Sequence, residues 1–181
     1  LDLLPLHYSL MFEIQSGPRT EALSVYLPFA EGQELDYIKS KIGAEYHLQP
    51  LTEDTKLELK DLELTFYQTK HSKECYALKI SQGDKVVGYT ADTAWDQGLV
   101  SFFKDIDCLL TEASLLEQDK EQRKLGHLTV KEAVKLGVEA NVKQVVLTHL
   151  GSLYTREEIK AEIPAVDLEV EVSKVGAEYR I

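Results

Sequence analysis

The chain has 181 residues, with 20 Lys and Arg against 31 Asp and Glu and a formal net charge of −11. At 44% hydrophobic and 28% charged it has the composition of one globular domain with a sizeable core, spanning 1–181, which excludes disordered, collagen-like and low-complexity chains. The acidic balance argues against extended nucleic acid or an anionic membrane as a partner, since both reward a basic surface. It leaves room for a small anion held through metal ions. Two cysteines, Cys75 and Cys108, cannot build a disulfide framework, and no apolar run is long enough to span a bilayer, so a cytoplasmic setting is expected.

The predicted elements begin with a helix over 1–16, where Leu3, Leu6, Leu10 and Ile14 recur three or four apart until Gly17-Pro18 stops it. Ser24–Leu27 reads as a short strand and Glu34–Ile42 as a helix with Leu35, Ile38 and Ile42 on one face. The period then changes to two: Leu57 and Leu59, then Leu62, Leu64 and Phe66, alternate with polar residues as half-buried strands do. Tyr76–Ile80 and Val86–Tyr89 flank Gln82-Gly83-Asp84-Lys85 as a hairpin. Leu99–Phe103 reads as a helix and Ile106–Leu110 as a fully apolar strand. Thr129-Val130-Lys131-Glu132 and Thr155-Arg156-Glu157-Glu158 are capping boxes, each opening a helix, with the strand Val145-Val146-Leu147 between them. Leu168, Val170 and Val172 alternate in a late strand, and Glu178–Ile181 is expected to add another. An antiparallel group followed by alternating helices and strands is an α/β chain with a mixed sheet.

Residues able to do chemistry follow the ends of these strands. His71 follows Phe66–Thr69, Asp92 follows Val86–Tyr89, Glu112 follows Cys108–Thr111 and His149 follows Val145–Thr148. Catalytic groups of open α/β sheets collect at carboxyl ends of strands, and imidazole with carboxylate suits zinc or manganese. Each residue also has an ordinary reading. Asp92 or Thr93 could cap the helix around Trp95–Phe103, Glu112 could be solvated, and His127 could be a polar cap ahead of the Thr129 helix. Trp95 reads as a core anchor, Cys75 as a small buried apolar residue, His7 as part of a Leu-rich helix and His47 as the start of a strand.

Five segments decide between these readings: His71-Ser72-Lys73-Glu74-Cys75-Tyr76, Tyr89-Thr90-Ala91-Asp92-Thr93, Thr111-Glu112-Ala113-Ser114, Gly126-His127-Leu128-Thr129, and Leu147-Thr148-His149-Leu150 with Tyr154 after it. In this order and spacing they resemble the metallo-β-lactamase superfamily, most closely its ribonuclease Z-like phosphodiesterase branch. The resemblance implies an αβ/βα sandwich with mixed β-sheets and a dinuclear site for two divalent ions, Zn2+ first and Mn2+ second. It implies His71 and His149 as ligands of the two metals and Asp92 as the carboxylate bridging them. His127 would be the general acid, its tautomer set by Glu112. The activity implied is hydrolysis of a small or cyclic phosphodiester. Lactone, thioester or β-lactam hydrolysis, tRNA 3′ processing and a non-catalytic domain that kept the fold are the alternatives. Homodimers are expected from the family alone.

Two departures qualify the resemblance. The family's His-x-His-x-Asp-His motif is missing, since the five histidines stand at 7, 47, 71, 127 and 149. The helix over 1–16 resembles the one that follows this motif, and the chain opens on Leu1-Asp2-Leu3-Leu4, already inside it. The expectation is therefore a chain cut just after that motif, with an N-terminally incomplete domain that is inactive alone. The basic arm by which tRNA-processing members grip their substrate has no room between His71 and Asp92, where one hairpin uses the residues.

Overall fold

The computed structural model describes residues 3–28 and 32–181, so Leu1 and Asp2 of the predicted first helix lie outside the described residues. Contacts divide the chain into two compact units, 1–51 and 52–181. The first holds α1 (Leu3–Ser16), β1 (Leu23–Leu27), α2 (Gln33–Lys39) and β2 (Tyr46–Pro50). Strands β1 and β2 pair in parallel, with Leu23 opposite Tyr46, and α2 lies in the connection between them. Among the described residues Leu10, Leu35 and Tyr46 are its buried apolar ones, and the Tyr46 hydroxyl donates to the Leu3 carbonyl at 2.7 Å. His7 is not merely a residue of a leucine-rich helix: its Nδ1 pairs with buried Glu45, which also accepts the Gly43 N–H at 2.7 Å. Burial works to raise the Glu45 pKa, but the Gly43 and His7 contacts outweigh it and hold the carboxyl below its ordinary value.

The second unit carries β3 (Lys56–Leu59), β4 (Leu62–Gln68), β5 (Tyr76–Gln82), β6 (Lys85–Tyr89), α3 (Gln97–Phe102), β7 (Cys108–Glu112), a 3-10 stretch (Glu117–Leu125), α4 (Val130–Glu139), β8 (Gln144–Thr148), α5 (Arg156–Glu162) and β9 (Glu169–Val172). Its strands form one seven-stranded sheet in sequence order. Pairing is antiparallel from β3 to β6 and parallel from β6 to β9. The switch follows from connection length: loops of two residues (β3–β4 and β5–β6) and of seven (β4–β5) reverse direction, whereas segments carrying α3, α4 and α5 allow parallel return. The core lies where α4 covers β7 and β8. Phe103, Leu109, Leu128, Val134, Leu136 and Leu147 are completely or almost completely buried there.

Both capping boxes form. The Thr129 and Thr155 hydroxyls accept from the N–H groups of Glu132 and Glu158, whose carboxylates reach back to the cap N–H groups. Three local expectations are corrected. Residues 178–181 form no strand, and β9 is the edge of the sheet. Helix α3 is capped by Asp96, which accepts from the Gly98 N–H at 3.1 Å, so neither Asp92 nor Thr93 has that task. Cys75 is half-buried rather than buried, because it lies in the loop before β5. No helix among the described residues is long and apolar enough to cross a membrane.

Candidate metal centre

Strand direction builds the site. Because β4 is antiparallel to β5 and β5 to β6, strand β4 runs the same way as β6, β7, β8 and β9. Their carboxyl ends therefore share one edge. His71 lies three residues beyond β4 and Asp92 three beyond β6, while Glu112 ends β7 and His149 follows β8. His127 arrives differently. The chain after β7 doubles back so that Leu115 bridges Thr129, with the Leu115 N–H on the Leu128 carbonyl (3.1 Å) and the Val130 N–H on that of Leu115 (2.9 Å). His127 is thereby hung beside the end of β7, and Thr129, not His127, caps α4.

The loops are stitched together by three hydrogen bonds, two of them through threonine hydroxyls. The Thr69 hydroxyl donates to the Asp92 carbonyl at 2.8 Å, the Lys70 N–H to the Thr93 hydroxyl at 3.3 Å, and the Ala94 N–H to the Lys70 carbonyl at 2.8 Å. These bonds fix the His71 loop against the Asp92 loop. Gly126, at φ +88°, then packs so closely that a β-carbon there would sit 2.8 Å from the His71 Cα and Cδ2. Only a residue without a side chain admits that approach and that φ together.

The result is a row of imidazoles. The His127 ring meets His71 edge-on at 5.3 Å and stacks on His149 at 5.6 Å. His149 Nε2 stands 3.5 Å from Asp92 Oδ1, and one donor atom each of His71, Asp92 and His127 lies within 4.8 Å of the others. Behind them Glu112, with no exposed surface, accepts from the Thr93 N–H (2.7 Å) and pairs with His127 Nδ1 (3.0 Å) through Oε1. A buried carboxylate is tolerable only when hydrogen-bonded in this way. Tyr89 at the same edge has its hydroxyl pKa raised by burial and then by the charge of Asp92. Near the His71 loop, burial tends to raise the Asp96 pKa, but the Gly98 N–H, Lys70 and the Tyr67 hydroxyl outweigh it and hold it low.

All five residues picked from sequence converge: His71, Asp92 and His149, with the Glu112 and His127 pair. Imidazole nitrogens and a carboxylate oxygen gathered at a half-open sheet edge are the donors that a divalent ion such as zinc takes. The residues present fit a metal, and His127, expected as a general acid, stands within the same donor group as His71 and Asp92. Trp95 packs against the core, with Lys135 Nζ 4.3 Å from its ring centre. Sequence reasoning gave no role to Ser114 or Gly126 and only a capping role to Thr93, whose N–H instead donates to Glu112. Their signal was adjacency to Glu112, His127 and Asp92 within the quoted segments.

Comparison with known proteins agrees with this geometry. The family model described as "Beta-lactamase superfamily domain" matches residues 17–150. The chain is 29% identical over 179 residues to the Bacillus subtilis (strain 168) protein named "Probable metallo-hydrolase YhfI", covering 97% of this chain and 71% of that one. It is 40% identical over 81 residues to ribonuclease Z of Bradyrhizobium diazoefficiens, a match to 44% of this chain but 27% of that protein. The crystal structure of YhfI, a metallo-beta-lactamase fold protein, superposes with a TM-score of 0.85 at 24% identity, over 97% of this chain and 71% of that one. A diphosphatase from the PhnP family superposes at 0.67 with 16% identity, over 95% of this chain and 61% of that one. A mixed sheet whose strand ends gather metal-type donors, together with a family match across most of the length, identifies the chain as a member of the metallo-β-lactamase superfamily of hydrolases.

Proposed function

We propose that the chain serves a metal-dependent phosphodiesterase acting on a small or cyclic phosphodiester. The observation that carries this reading is the His127 ring, set between His71 and His149 with its Nδ1 held by a fully buried carboxylate. Two divalent ions, zinc before manganese, would be held by His71, Asp92 and His149. Bound ions of this kind acidify water and neutralise phosphate oxygens. Glu112 keeps the His127 Nδ1 proton in place, so that Nε2 is the nitrogen left to meet a leaving-group oxygen. A proton carried there passes to the departing alkoxide, and the negative charge of Glu112 stabilises the imidazolium before transfer. Asp92, 3.5 Å from His149 Nε2 and in one donor group with His71, would be the carboxylate shared by the two cations.

The net charge of −11 favours a small substrate over a long polyanion. The 81-residue likeness to ribonuclease Z favours a second reading, cleavage of an RNA phosphodiester at the same site. The test is hydrolysis of bis-p-nitrophenyl phosphate by the intact protein, alongside RNA, lactone, thioester and β-lactam substrates. The expected result is phosphodiesterase activity that is lost on chelation, restored by zinc or manganese, and abolished by Asp92→Ala. A His127→Ala enzyme should lose about 10²- to 10⁴-fold in kcat, the usual contribution of a general acid. Turnover that survives both chelation and Asp92→Ala refutes the proposal.

A further inference from the structure

Three segments of the site meet at a residue that the reaction scheme leaves out. The Ser114 hydroxyl lies 2.7 Å from Glu112 Oε2, 3.0 Å from the His149 carbonyl and 3.4 Å from His127 Nδ1. Its own N–H adds a 3.3 Å bond to Glu112 Oε2. Glu112 Oε1 is already taken by Thr93 and His127, so Ser114 supplies the donors to the other oxygen and sets the plane of the carboxylate.

The same residue bears on the His149 loop. His149 has φ +46°, a conformation disfavoured for any residue with a β-carbon, and must be held there by its surroundings. Ser114 reaches the carbonyl of that residue, while on its other side Gly151 approaches so closely that a β-carbon would sit 2.3 Å from the Ser114 carbonyl oxygen. A hydroxyl has one proton and can donate to either Glu112 or His149, and it stands within reach of both without rearrangement.

We propose that Ser114 is a positioning residue. Its hydroxyl couples the Glu112–His127 pair to the backbone of His149, so that the imidazole carrying the proton and the imidazole facing Asp92 keep one fixed spacing. The inference rests on the roles read above for these residues, but it concerns the placement of side chains and can be tested without turnover.

The test uses the full chain with 15N-labelled histidine, free of metal, in the wild type, Ser114→Ala and Ser114→Thr. Ring resonances of His127 and His149 are recorded, and Zn2+ binding is measured by competition with a chromophoric chelator. Ser114→Ala is expected to move both rings' resonances and to lower Zn2+ affinity about tenfold, the low end for losing an outer-sphere partner. Ser114→Thr, which keeps the hydroxyl, is expected to restore both. Ala resonances and affinity matching the wild type overturn the proposal. So does a Thr variant as impaired as the Ala variant, which would mark a packing role. Absence of phosphodiester hydrolysis would count against the functional reading alone, since neither measurement depends on catalysis.

Discussion

Gly126→Ala tests the central geometric claim, that the His127 loop and the His71 loop are pressed together by a residue that must be glycine. Two costs add. Placing a β-carbon at φ +88° costs roughly 1–2 kcal/mol from backbone sterics. The new methyl also meets the His71 Cα and Cδ2 at 2.8 Å and the Lys70 carbonyl at 3.1 Å, and two of these three contacts are backbone that cannot rotate away. Crowding of that kind typically costs about 1–3 kcal/mol. The expected loss is therefore about 2–5 kcal/mol, summing the two ranges. Gly83→Ala is the matched control: Gly83 also has a positive φ, +59°, in the two-residue loop between β5 and β6, but a β-carbon there meets nothing within 4 Å. It should cost the backbone term alone, about 1–2 kcal/mol. The assay is urea unfolding followed by Trp95 fluorescence, which reports on the second unit because Trp95 is the single tryptophan and packs on that core. Gly126→Ala should also disturb the His71 ring resonance in the metal-free protein, whereas Gly83→Ala should not. Equal destabilisation by the two variants, or an unchanged His71 signal in Gly126→Ala, would refute the argument.

Further outcomes follow from the fold. Thr129→Ala removes the buried cap of α4 and should lower stability by about 1 kcal/mol, within the 0.5–2 kcal/mol usual for a lost N-cap, with an unfolding midpoint no different from wild type counting against it. Asp107, at the far end of β7 from the site, accepts from Lys143 at 2.6 Å and the Val86 N–H at 2.9 Å, and the Lys143 contact is the first cause holding its carboxyl below the ordinary value. A carboxyl lowered on folding adds stability that is present above its unfolded pKa and lost as pH falls through the folded one. Asp107→Asn should therefore be less stable at neutral pH and converge with wild type on acidification below the ordinary carboxylate range; a constant gap down to acid unfolding would contradict this.

Much of this architecture could be read from the chain alone, for local reasons. A capping box is complete within four residues, so Thr129 to Glu132 and Thr155 to Glu158 announced α4 and α5 without knowledge of neighbours. Alternation at Leu62, Leu64 and Phe66 likewise announced a strand, although the other face is partly buried too and its Tyr67 packs against the core. The five segments also named His71, Asp92, Glu112, His127 and His149 together. Local signals failed where a long-range partner decides the outcome. Nothing within Glu178–Ile181 distinguishes a strand from an extended tail, because a strand needs an edge to pair with and β9 offers it none of these residues. Helix α3 could have started at Asp92, and its cap at Asp96 depends on Tyr67 and Lys70, which gather around that carboxylate from β4 and the loop after it.

What only the tertiary structure decided is the convergence itself. His71 and Asp92 stand 21 positions apart and meet because β4 and β6 run in one direction, a consequence of two successive reversals that no single segment encodes. His127 reaches the row through the bridge of Leu115 to Thr129, and Ser114 acquires its place only once the ends of β7 and β8 lie side by side. Residue type and the order of the five segments nominated the groups for the chemistry, through the family resemblance that they carry. The folded sheet settled which groups touch, since distance depends on strand direction, register and the close approach that Gly126 permits.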